Sequence, residues 1–181
     1  MTRHARTRSI ACAVALAAVV AVGTVGCGGG SDDATPSAAS STTTAAATKL
    51  TAAMAKLKAD AAEFGAPSVS GSVLSFGSTK INDDFTIVDA VTAEFGCTAT
   101  FFVAQGPAFV RVSTSVMKEG KRAVGTELDP AGPVIIQIRQ GKSFSGVVDI
   151  LGDEYDTIYE PIVDAKGTVL GVYYVGVKVP G

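Results

Sequence analysis

The chain has no tryptophan and a single histidine, His4. His4 lies in a stretch with the features of a cleaved leader, so no imidazole is expected in the mature protein. That removes the general base of a Ser or Cys catalytic triad. Cysteine is almost as scarce, with only Cys12, Cys27 and Cys97. Cys12 falls in the same leader, Cys27 at its exit, and Cys97 stands alone among strand-forming residues as a small core side chain. No intrachain disulfide is expected if Cys27 is acylated, and no His or Cys cluster exists for zinc. Acidic groups occur at Asp83 and Asp84 and at Asp153, Glu154 and Asp156. They lack the glycine and terminal glutamate of a calcium loop and read as turns. Neither an enzyme nor a cofactor is expected.

The N-terminus is explicit. Met1 to Ser9 carries Arg3, Arg6 and Arg8 and no acid, and Ile10 to Val22 is an uninterrupted apolar run. The run is short of the ~20 residues of a membrane span and fits a secretory signal peptide over residues 1–26. Thr24-Val25-Gly26-Cys27 is similar to the exit of bacterial lipoproteins, which are cut before a Cys that receives diacylglycerol. Val25 and Gly26 suit that motif, and Thr24 departs from the aliphatic residue usual there. Ordinary secretory cleavage, leaving a free Cys27 thiol, is the alternative. Residues 28–47 are Gly, Ser, Thr, Ala, Asp and one Pro, and residues 27–47 read as a disordered tether. The expected location is extracytoplasmic, on a membrane, held by the lipid on Cys27.

Removing residues 1–26 leaves twelve basic against 17 acidic groups, a net charge near −5. An acidic domain is a poor partner for nucleic acid, where cationic contacts to phosphate dominate.

Residues 48–181 read as one domain. Leu50, Met54, Leu57 and Phe64 recur near helical spacing, and Gly65 and Pro67 stop the run. Gly71–Phe76 and Phe85–Val91 are β-rich. Cys97–Ala104 and Phe109–Val116 are strand candidates around Gln105-Gly106-Pro107. Residues 117–130 read as a long loop, and Val134–Arg139 as a helical turn, with a strand the alternative. Ser143–Leu151, Tyr155–Val163 and Thr168–Val179 read as antiparallel strands, turning at Gly152-Asp153-Glu154 and Asp164-Ala165-Lys166-Gly167. A long helix followed by a meander is α+β.

Within Phe109–Thr114, alternation places Phe109, Arg111 and Ser113 on one face and Val110, Val112 and Thr114 on the other. Arginine is rarely buried without a partner. Its fork of donors suits a ligand carboxylate, the alternatives being an ion pair to Asp149, Glu160 or another acid, or an exposed face. Ser113 and Thr114 offer hydroxyls. Arg122 and Thr126 follow in the loop, where a solvated charge is the competing role for Arg122. Lys142 follows Gly141, where a turn can aim it over the sheet. Gly141-Lys142-Ser143 lacks the earlier glycine of a phosphate loop, Ile136 standing in its place. Tyr155, Thr157 and Tyr159 share a face, and tyrosines give a pocket apolar walls with polar tips. Glu160-Pro161 reads as a bend or bulge.

Several blocks in order carry a resemblance. They include Leu74-Ser75-Phe76-Gly77, Ile81-Asn82-Asp83-Asp84-Phe85, Phe109-Val110-Arg111-Val112-Ser113-Thr114 and Gly120-Lys121-Arg122-Ala123-Val124-Gly125-Thr126. Later come Gly141-Lys142-Ser143-Phe144, Tyr155-Asp156-Thr157-Ile158-Tyr159-Glu160-Pro161-Ile162 and Gly171-Val172-Tyr173-Tyr174-Val175-Gly176. Together they resemble the single Cache domains of chemotaxis receptors and sensor kinases. The resemblance implies a PAS-like fold, with a long N-terminal helix beside a central antiparallel sheet and loops enclosing a small-molecule pocket. It also implies reversible extracytoplasmic sensing. Such domains usually continue into a transmembrane helix and a signalling module. The sequence ends at Gly181, so signalling is expected through a membrane receptor or kinase partner. The expected ligand is a small organic anion, a carboxylate, bound by Arg111, Ser113, Thr114, Arg122, Thr126, Lys142, Tyr155 and Tyr159. Phe102 and Phe144 are expected to close the walls. The alternative is a protein-interaction module with a vestigial pocket.

Overall fold

Alanine and other good helix formers fill the chain before Gly65, and helix α1 runs through them over Ala38–Ala62 in the computed structural model, which describes residues 38–180. Leu50, Ala53, Met54, Leu57 and Ala61 form one buried stripe at three- and four-residue spacing. The helix begins well before Leu50, so residues 38–47, expected in the tether, are helical. Alanine needs no packing partner to favour a helix over coil. Phe64, expected on the buried stripe, lies beyond the last turn and is exposed. The signal-peptide stretch, Cys27 and residues 28–37 lie outside the described residues.

Strands β1 (Pro67–Ser70), β2 (Val73–Phe76) and β3 (Thr79–Lys80) form a small antiparallel sheet. Gly77 crosses the end of α1 closely. A Cβ there would lie 2.0 Å from the Phe64 carbonyl oxygen, and its φ of +55° also favours glycine. Helix α2 (Thr86–Phe95) follows where a β segment was expected over Phe85–Val91. Its β-branched residues suit a strand, but Ile87, Val88 and Val91 fall on one helical face and are buried together. Asp84 Oδ1 accepts from the Thr86 N–H at 3.0 Å, and Gly96 ends the helix in the left-handed conformation.

The main sheet contains β4 (Thr98–Gln105), β5 (Ala108–Thr114), β8 (Phe144–Ile150), β9 (Asp153–Val163) and β10 (Val169–Lys178). All pairs are antiparallel, in the order β5-β4-β10-β9-β8, so the last strand runs through the middle. Between β5 and β8 the chain forms a small hairpin, β6 (Met117–Lys118) with β7 (Lys121–Arg122), and then α3 (Pro133–Arg139). The hairpin lies inside the expected long loop. Glu119 and Gly120 both take positive φ, as a two-residue turn matched to strand twist requires. The β8–β9 turn is Leu151-Gly152, because Asp153 and Glu154 already pair with Ile150 and Asp149. Pro161 causes no bulge in β9. It lies past Tyr159, the last residue that β8 pairs, and the register shift is in β10 between Val169 and Gly171.

This is the α+β, PAS-like architecture implied by the resemblance. Two cores flank the sheet. On one face Phe76, Phe101, Tyr173 and Val175 pack with the buried stripes of α1 and α2. On the other, Phe102, Tyr159, Val172 and Tyr174 pack with Ile135 and Ile138 of α3. Each fully buried large apolar side chain contributes ~1.5–3 kcal/mol. No helix among the described residues is long and apolar enough to cross a membrane.

Candidate functional site

The second core is incomplete where α3 and the segment before it arch over the sheet, leaving a cavity of about 410 Å³. Ligand sites typically span about 300–1,000 Å³, so this one suits a small molecule. Arg111 and Tyr159 line it from the sheet, Val148 and Ile150 from β8, and Pro133 and Val134 from α3.

Arg111 is held from two sides. Residues 123–128 run beside the edge strand β5: the Arg111 N–H donates to the Thr126 carbonyl at 2.9 Å, and the Leu128 N–H to the Phe109 carbonyl at 2.9 Å. This brings Thr126 Oγ1 to 2.7 Å from Arg111 Nη1. The Thr126 hydroxyl donates to the Ala123 carbonyl at 2.8 Å, so its oxygen is turned to accept from the guanidinium. From the sheet side, Phe102 packs with its ring centroid 5.1 Å from Cζ. The side chain is only 4 % exposed. Nε is buried and has no hydrogen-bond partner. No acid pairs with Arg111 among the described residues. Glu160 is engaged by Lys58, and Asp149 accepts from the Gly152 N–H. Burial lowers the guanidinium pKa, and the phenols of Tyr159, Tyr174 and Tyr155 oppose that shift. Even so, a guanidinium keeps its charge in a protein. A buried cation without a counter-charge is costly, and an anion entering the cavity relieves that cost.

Tyr159 packs against Tyr174, Phe102 and Phe144, with centroids 4.9, 6.5 and 6.3 Å away. Burial pushes both the Tyr159 and Tyr174 phenols well up, and the Arg111 charge pulls each back in part. Both therefore remain protonated donors. Tyr174 spends its hydroxyl on Thr98, at 3.0 Å. The Tyr159 hydroxyl makes no hydrogen bond among the described residues, and the side chain lines the cavity.

The family model of the Cache 3/Cache 2 fusion domain matches residues 31–180. The chain belongs to that family. Cache domains are extracytoplasmic sensory domains that bind small molecules, and a cavity over the sheet face fits that role. No curated protein matches the chain.

In this Cache domain the expected ligand residues separate. Arg111 and Tyr159 meet at the cavity, with Thr126 behind Arg111. Ser113 does not share the Arg111 face. Pairing moves from Phe102↔Arg111 to Phe101↔Ser113, so Val112 is an extra residue in β5 and the alternation reverses after it. Ser113 consequently points to the α2 side and donates to the Asp84 carbonyl. Thr114 lands on the Arg111 face but is buried in a 2.6 Å hydrogen bond with Thr100. Arg122 forms two hydrogen bonds to Asp89 of α2, at 2.8 and 2.9 Å, and lies 4.2 Å from the Phe85 centroid. Lys142 is exposed and donates to Gln140. Tyr155 shares the Tyr159 face and borders a shallower depression at the opposite end of the strands, with Thr98 and Lys178. Phe102 and Phe144 both back the site through Tyr159.

The roof went unforeseen. Glu127, Asp129 and Leu128 line the cavity only because residues 123–128 return along β5. The available signal was the Asp129-Pro130 and Gly132-Pro133 punctuation, which marks a sharp path into α3.

Proposed function

We propose that this Cache domain binds a small organic anion, through a carboxylate on Arg111, outside the cytoplasmic membrane. A lipid on Cys27 holds it there, and a membrane receptor or sensor kinase receives the signal. The observation that carries the ligand class is the buried, unpaired Arg111 guanidinium at the wall of a cavity of about 410 Å³. Thr126 fixes the guanidinium, Tyr159 supplies a second donor, and binding is reversible, with no covalent step.

Calorimetry and thermal unfolding with a panel of short carboxylates test this directly. A ligand of the native state must raise the unfolding midpoint by mass action. Carboxylates that stabilise the wild type and fail on Arg111→Met support the proposal. If no carboxylate stabilises the wild type, or if binding survives Arg111→Met, the anion reading falls. The domain is then better treated as an interaction module with a vestigial pocket.

A further inference from the structure

The two outer edges of the main sheet differ. Residues 123–128 close that of β5: the Gly125 N–H donates to the Arg111 carbonyl at 2.9 Å and the Leu128 N–H to the Phe109 carbonyl at 2.9 Å, with a bridge between Val110 and Glu127. β8 forms the other edge and pairs only with β9 among the described residues. Exposed edges usually carry lysine, proline or a bulge, which prevent pairing with another chain. β8 has none of these. Phe144-Ser145-Gly146-Val147-Val148-Asp149-Ile150 keeps an unbroken register with β9, and Asp149 is its one charge. Ser145, Val147 and Asp149 are exposed, Val147 to 55 %.

We infer that this edge pairs with β8 of a second copy, antiparallel about a two-fold axis at Val147, so that two sheets become one. Val147 is the middle residue of β8, so this register pairs the whole strand with itself. On one face it sets Val147 against Val147 and each Ser145 hydroxyl against an Asp149 carboxylate. On the other it sets Phe144 opposite Ile150, an aromatic against a β-branched side chain, and Gly146 opposite Val148. A parallel in-register contact puts Asp149 on Asp149, like charges directly opposite, which the two-fold avoids. A strand from an unrelated protein gains only the main-chain hydrogen bonds of the edge, whereas a second copy adds these matched side-chain pairs. The contact closes at two copies, because it uses the open edge of each sheet. One strand a side makes a small interface, of the weak and transient class.

Sedimentation of the purified full chain carrying Cys27→Ala reads the association with no lipid and no disulfide through residue 27. A reversible monomer–dimer equilibrium is expected, with a dissociation constant below about 1 mM. Val147→Lys sets two like charges opposite each other at the axis and should weaken the dimer at least about tenfold. Val147 is exposed and does not line the cavity, so the unfolding midpoint of the dilute protein should not change. In the same background, Val147→Cys should give a disulfide-linked dimer under mild oxidation. Residues directly opposite in antiparallel strands have Cα atoms about 4.5–5.5 Å apart, within disulfide reach. Leu151→Cys lies beyond the end of β8, far from its own copy in this register, and should cross-link poorly. Cys97 is buried and does not compete. A chain that stays monomeric up to about 1 mM overturns the inference. So does a dimer unmoved by Val147→Lys, or cross-linking through Leu151→Cys that matches that through Val147→Cys. If Val147→Lys lowers the midpoint, the cross-linking comparison decides alone.

Discussion

At Arg111 the chain places a permanent charge beneath a sheet face with no acid among the described residues paired to it. Replacing such a group by an apolar side chain of similar length is often neutral or stabilising, whereas stranding a charge is costly. Arg111→Met should therefore leave the midpoint of the ligand-free domain unchanged or raise it slightly. The same change should weaken carboxylate binding by about 2–3 kcal/mol, roughly 30- to 150-fold. Lost stability in the free protein with unchanged affinity would show that the guanidinium serves the fold alone. Thr126→Val removes the acceptor that holds Nη1 and leaves the volume. It should weaken the same ligand by about 1 kcal/mol, with the loss measured against wild type by calorimetry. Arg111 itself was legible, because an arginine among Phe, Val, Ser and Thr has few reasons to be there. Its neighbours were less so: one extra residue at Val112 sends Ser113 to the other face, and no period-two count registers a bulge.

The elements around the site differ in what fixes them. Helix α2 opens on an Asx turn, Asp84 accepting from Thr86, and that hydrogen bond lowers the Asp84 pKa below its ordinary 3.8. A carboxylate with a depressed folded-state pKa contributes stability above its unfolded value and loses it as pH falls through the folded one. Asp84→Ala should accordingly cost about 0.5–1 kcal/mol at neutral pH. The difference from wild type should close below about pH 4, as read from midpoints across a pH series. Arg122 gives an element-scale contrast to Arg111. It ties the β6–β7 hairpin to α2 through Asp89 and Phe85. Arg122→Ala should cost about 1 kcal/mol of stability and leave ligand affinity within error. A large loss of affinity with intact stability would return Arg122 to the site. The strands were largely legible from alternation and turn residues. α2 was not, because its β-branched composition argued for a strand, while packing of Ile87, Val88 and Val91 against the sheet decided for a helix. α1 reaches back to Ala38 because an alanine-rich segment reads as low complexity and helix former alike.

For the molecule as a whole, occupancy of the cavity and attachment to the membrane are separate quantities. Ligand at about 100 times its dissociation constant adds ~2.7 kcal/mol to folding stability, which for a domain of this size is roughly 5–10 °C in midpoint. That shift reads the cavity and is blind to the anchor. The anchor is read by fractionation. No helix among the described residues is long and apolar enough to cross a membrane, and Cys27 is the proposed point of attachment. Each buried methylene of a lipid contributes ~0.8 kcal/mol. One acyl chain holds a protein only reversibly, but the diacylglycerol of a lipoprotein brings two and holds it stably. The full chain should therefore sediment with membranes, and Cys27→Ala should appear in the soluble fraction with its ligand-induced midpoint shift intact. Mass spectrometry of the extracted protein should find a lipid-modified Cys27 at the N-terminus. An unmodified N-terminus at another residue, or a Cys27→Ala protein still bound to membranes, would rule the anchor out while leaving the cavity reading untouched, because nothing that lines the cavity lies near Cys27 in sequence.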